Sequence, residues 1–129
     1  MSSSDWSDRL VRGYAFLRGA LLVVFSAVLM LAPEKAMPGS SMEPARSLGL
    51  MFASRTILLG VAFMVLVLRR RREGLAWVFV ADAGLQLFDT GLALAMNKGI
   101  VAIAPAVLGA IDLSAGLFLL RAARVSKKV

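Results

Sequence analysis

The sequence predicts an all-α integral membrane protein, a single domain over residues 1–129 in which four transmembrane helices form a bundle with antiparallel neighbours. Hydrophobic residues make up 59% of the chain and mean hydropathy is +0.78, well above the roughly half-apolar composition of soluble domains. Four apolar stretches, about 14–32, 47–68, 74–96 and 99–120, each hold 19 to 23 residues. A helix needs about 20 to cross a hydrocarbon core of roughly 30 Å. In lipid the backbone must satisfy its own hydrogen bonds, so helices are the expected solution. Basic residues collect at alternate ends of these stretches, the pattern left by a chain that crosses and returns.

Taken in order, residues 1–8 form a polar start, with Ser and Asp suited to begin a helix. Trp6 and Tyr14 are placed for the membrane interface, as is Trp77 at the start of the third span. The first span is expected to be retained rather than cleaved. Asp5 and Asp8 spoil a basic leader, and the run ends in Leu31-Ala32-Pro33-Glu34 without a small-x-small site. Residues 33–46 carry Pro33, Pro38, Gly39 and Pro44, and read as an irregular external loop. In the second span Gly49, Ala53, Thr56 and Gly60 fall on one stripe at helical spacing; Pro105, Gly109, Asp112 and Gly116 do so in the fourth. Small stripes let helix backbones approach closely in lipid. Pro105 also removes one helical hydrogen bond and is a candidate bend. The links at 69–73 and 97–98 are short, which forces the helices they join to run antiparallel.

A net charge of +7 and a pI near 11.1 invite a nucleic-acid reading, which the placement of the charges argues against. Arg9, Arg12, Arg69, Arg70, Arg71, Arg72, Arg121, Arg124, Lys127 and Lys128 lie on one side, against Lys35, Arg46 and Lys98 on the other. The positive-inside rule then predicts a cell-membrane, multi-pass protein with both termini cytoplasmic. The expected partner is the lipid bilayer, its anionic face included, and not nucleic acid. There is no Cys and no His, which removes disulfides and the commonest zinc ligands. No metal site, cofactor motif, phosphate loop or nucleophile triad is present in the sequence.

Five charges remain inside the spans: Arg18, Arg55, Asp82, Asp89 and Asp112. Each would cost from about 3 to more than 10 kcal/mol at the bilayer centre. Asp82, Gln86 and Asp89 are spaced i, i+4, i+7 and share one face of the third helix. The opposite face carries Trp77, Gly84 and Gly91 without charge. At roughly 1.5 Å of rise per residue, Arg55 and Asp89 lie about 12 and 10 Å below the outer ends of their spans. Asp82 and Asp112 each lie about 12 Å from the inner end. The sequence therefore predicts an outer layer of Arg55 with Asp89, most simply an ion pair, and an inner layer of Arg18 with Asp82 and Asp112. Gln86 lies between, as a helix–helix hydrogen bond or a ligand contact. Two carboxylates at one depth repel, so one of Asp82 and Asp112 is a candidate to stay protonated near neutral pH.

Leu31-Ala32-Pro33 closing the first helix, Arg55 followed by Gly60, the basic turn before Gly74, and Asp82 resemble the DoxX-like group of small four-helix membrane proteins. The resemblance runs from about residue 12 to 120 and is nearest to members without an assigned function. It implies the four-helix fold. Members often carry a histidine near the fourth helix; this chain has none, so no role carried by such a residue transfers. The group's namesake is linked to quinone-coupled sulfur oxidation, and nothing in this sequence marks a quinone site.

Three functions are compatible with this pattern. The first is a membrane module that binds a hydrophobic small molecule or lipid, or serves as an accessory subunit. The second is an intramembrane acid–base enzyme, of isomerase, epoxide hydrolase or cyclase type. In it Asp82 and Asp112 would give and take the proton, while Arg18 or Gln86 stabilises developing charge. The third is a proton-coupled small transporter, which with only four helices would have to act as a homo-oligomer.

Overall fold

The computed structural model describes residues 3–39 and 41–128. Residues 1 and 2 of the polar start lie outside the described residues. The described residues are helices joined by short turns and links, with no strand among them. The helices are α1 (Ser3–Leu31), α2 (Pro33–Ala36), α3 (Ala45–Leu68), α4 (Arg72–Ala95) and α5 (Gly99–Lys127). Four of them, α1, α3, α4 and α5, are long and apolar enough to cross a membrane.

The helices overrun the apolar stretches that seed them. α1 begins at Ser3 and α5 continues to Lys127, because nothing in the flanking sequence stops a helix. Asp5 sits in the first turn of α1, where the helix dipole favours an anion. Asp8 pairs with Arg12 one turn on, at 3.2 Å. Arg124 and Lys127 lie in the last turn of α5, the cation-favouring end. Lys127 also donates to Glu73 of α4 at 2.8 Å.

The loop expected to be irregular contains one helical turn. Pro33 opens α2 at a position where its missing N–H is no loss. The Glu34 carboxylate then accepts the Gly39 N–H at 2.8 Å, the Ser41 N–H at 3.1 Å and the Ser41 hydroxyl. The Ser41 hydroxyl first, then the two N–H donors, holds its pKa below the ordinary carboxylate range. Gly39 at φ 84° makes the turn that brings these donors back.

Asn97 ends α4. It takes a left-handed φ of 56°, which Asn tolerates better than most residues. Its N–H reaches the Leu94 carbonyl at 3.0 Å and the Lys98 N–H reaches the Ala93 carbonyl at 2.9 Å. This pair of bonds is the Schellman closure, and it satisfies carbonyls that would otherwise be orphaned.

The chain divides into two compact units, Met1–Arg69 and Arg70–Val129. In the first, α1 packs on α3. The stripe Gly49, Ala53, Thr56 and Gly60 is buried, as the sequence spacing predicts, and Phe63 continues it. A methyl built on Gly60 would lie 2.7 Å from the Gly19 carbonyl oxygen, and one on Gly19 2.8 Å from that of Gly60. Backbone meets backbone here, an approach only glycine permits. Leu29 covers Gly49 at 3.7 Å, so the contacts climb α1 as they descend α3. Thr56 donates its hydroxyl to the Phe52 carbonyl at 2.7 Å and puts no unsatisfied group into the seam.

In the second unit α4 packs on α5. Pro105 lies inside α5, and the helix continues through it. The outward faces of both units are apolar: Leu58, Leu68, Phe88 and Ile100 are strongly exposed. Such surface is unfavourable in water and neutral in hydrocarbon.

Candidate functional site

The α4/α5 seam closes where small residues of α5 meet α4. Leu75, Ala76, Phe79 and Ala83 are buried on α4, and Ala102, Gly109, Ala115, Gly116 and Leu119 on α5. A methyl on Gly116 would meet Val80 at 2.9 Å and the Ala76 carbonyl at 3.1 Å. One on Gly109 would meet the Gln86 Cβ at 3.2 Å and the Ala83 carbonyl at 3.5 Å.

These contacts set the register. Asp112 falls midway between Gly109 and Gly116, and Asp82 midway between the residues they touch. The two carboxylates therefore stand at one level of one helix pair. Asp82 is 1% exposed and Asp112 is fully buried. Both engage in polar or electrostatic contacts, as a buried carboxyl must. Gln86 is half-buried one turn along α4, its stem against Gly109. Asp89 follows, half-buried on the same helix. Trp77, Gly84 and Gly91 are exposed, so the uncharged face of α4 is its outer one.

The two arginines of the polar set belong to the other unit. Arg18 is 8% exposed on α1, beside Gly19 at the closest approach to α3, and it too has polar contacts. Arg55 differs. It is exposed on α3, with its guanidinium 5.3 Å from the centre of the Phe52 ring, a cation–π distance. Phe52 in turn meets Phe25 of α1 edge-on, centroids 6.4 Å apart at 88°. The sequence predicts Arg55 level with Asp89; the Phe52 contact is a finding of the structure. The i, i+3 spacing of Phe52 and Arg55 was its available signal.

Ser26 is a further polar residue of α1 that the charge pattern does not single out. It is fully buried on α1, and its Oγ has no hydrogen-bond partner among the described residues. Its signal was position: Arg18, Leu22 and Ser26 repeat at four-residue spacing on one face. Among the described residues no group of three or more Asp, Glu, His or Cys side chains is arranged to hold a metal ion.

Fold and site together define a helical protein in which, among the described residues, four helices are of membrane length and Arg18, Asp82 and Asp112 are buried. No family model, no curated protein and no solved structure matches it.

Proposed function

We propose that this is a multi-pass membrane protein whose buried polar core binds a hydrophobic small molecule or lipid, acting alone or as an accessory subunit of a larger membrane assembly. In this reading the two helix pairs close into one antiparallel four-helix domain of DoxX-like type, with both termini in the cytoplasm. Arg18 then serves the inner carboxylates, and Arg55, Gln86 and Asp89 complete the polar set.

The observation that carries the reading is the pair of buried carboxylates, Asp82 and Asp112, level with each other in one seam. Helix packing alone gains little from a second carboxylate, since small residues already close this seam. Two carboxyls within apolar walls supply what an amphiphile needs: hydrogen-bonding groups at one depth and hydrocarbon around them.

The same observation favours a second reading, an intramembrane acid–base enzyme. Two carboxyls level in one seam place a proton donor and a proton acceptor at a single depth. One would donate a proton to a hydrophobic substrate and the other accept one, as isomerisation, epoxide opening or cyclisation requires.

Mass spectrometry of molecules retained by gently extracted full-length protein tests both. A defined hydrophobic molecule retained by the wild type and lost in Asp82→Asn and Asp112→Asn, with helicity unchanged, is the expected result. Retention of the same molecules by both variants refutes the core as a binding site. Conversion of an added hydrophobic substrate by the wild type, abolished in each variant, selects the enzyme.

A further inference from the structure

A groove of about 540 Å³ runs along α1, lined by Trp6, Arg9, Leu10, Gly13, Tyr14 and Leu17. These positions repeat at three- and four-residue spacing and so form one stripe of the helix. Its lining is overwhelmingly apolar, and Trp6, Leu10 and Leu17 are each more than half exposed. Gly13 forms the floor, and a Cβ built there would meet no atom within 4 Å.

One cation borders the groove. Arg9 takes no ion-pair partner among the described residues, whereas Arg12, one turn on, is engaged by Asp8 at 3.2 Å. From Trp6 to Leu17 the stripe spans about 16 Å along the axis. The apolar stretch begins at Tyr14, so the groove straddles the boundary between headgroups and hydrocarbon. Its Trp and Tyr are the residue types that settle at that boundary.

We propose that this groove is a site for an anionic phospholipid, with the phosphate on Arg9 and an acyl chain laid over Gly13 between Leu10 and Leu17. Three features choose this occupant: the cation at headgroup depth, the apolar floor below it, and a volume in the range of small-molecule sites. The site is separate from the Asp82/Asp112 core and depends on the chain's residence in a membrane, not on what that core binds.

The test uses full-length protein in nanodiscs of equal phosphatidylcholine and phosphatidylglycerol, with retained lipid counted by native mass spectrometry. Wild type is expected to retain phosphatidylglycerol selectively. Arg9→Gln should reduce that selectivity about fivefold, the worth of one basic residue at an anionic surface. Gly13→Leu fills the groove and should remove the bound lipid. Leucine is a better helix former than glycine and meets nothing there, so helicity and thermal stability should not fall. Equal retention of the two lipids by wild type overturns the proposal, as does undiminished retention by a folded Gly13→Leu protein. A dimer that Gly13→Leu dissolves overturns it as well, since a second copy would then fill the groove. Should the Gly13 variant misfold, the exposed Arg9→Gln change decides alone: unchanged selectivity refutes the site.

Discussion

Gly60→Ala should separate α1 from α3. The new methyl would lie 2.7 Å from the Gly19 carbonyl oxygen, 2.9 Å from Val23 Cγ2 and 3.1 Å from Leu22 Cβ. Carbon and oxygen rest at about 3.3 Å or more even in favourable C–H···O contacts, so the deficit at the oxygen is about 0.6 Å. That oxygen is backbone, and no side-chain rotation relieves it. The helices must move, and a gap of 0.5–1 Å forfeits a quarter to a half of each contact's attraction along the seam. Overpacking of this kind costs about 1–3 kcal/mol. Alanine's helix propensity returns about 1 kcal/mol at most, so a net loss of up to about 2 kcal/mol is expected. Titration from mild detergent into sodium dodecyl sulfate, followed by far-UV circular dichroism, measures it. Gly84→Ala is the control, because a Cβ there meets nothing within 4 Å, and it should be neutral or stabilising. A Gly60→Ala protein no less stable than Gly84→Ala would refute the close backbone contact.

Ser26→Ala removes a buried hydroxyl with no described partner. In the same titration it should be neutral or stabilising by up to about 1 kcal/mol, and a loss larger than that would mean Ser26 has a partner in the membrane. Glu34 is held below the ordinary carboxylate range by the Ser41 hydroxyl and two N–H donors. The loop closure should therefore be complete above the ordinary carboxylate pKa and be lost as pH falls through the lower folded value. The amide shifts of Gly39 and Ser41 report this, and a midpoint at the ordinary value or above would contradict it. The Lys127–Glu73 bridge is exposed at both ends, so Lys127→Ala should leave the unfolding midpoint unchanged. For topology, cysteines placed at Ser41 and Ser126 should react with impermeant maleimide from opposite sides of the membrane, Ser126 from the cytoplasm. Labelling of both from one side removes the proposed arrangement.

Much of the fold was legible because it is local. Four apolar runs of membrane length become four membrane-length helices, and the stripe from Gly49 to Gly60 is buried as its spacing requires. Gly109, Asp112 and Gly116 do the same on α5. Helix ends were less legible. Hydropathy marks where hydrocarbon would stop, whereas the helix stops where its hydrogen bonds are capped, as at Asn97. Inward-facing charge was read correctly for Asp82, Asp112 and Arg18, all buried. Depth in the sequence says nothing of which ring a long flexible side chain meets, and the Arg55 guanidinium lies over Phe52.

By itself, then, the sequence determined the number and kind of helices and which stripe of each is small. Periodicity in one dimension suffices for that. Tertiary structure decided which stripe meets which: Gly19 against Gly60, Gly109 beside Gln86, Gly116 beside Val80. The same register sets Asp82 level with Asp112 by direct contact, a level that the sequence reaches only through the lengths of the two spans. The physical reason is that register comes from atoms touching across a seam, where a shift of one residue turns a different face inward. No spacing within a single helix records the height at which its neighbour stands.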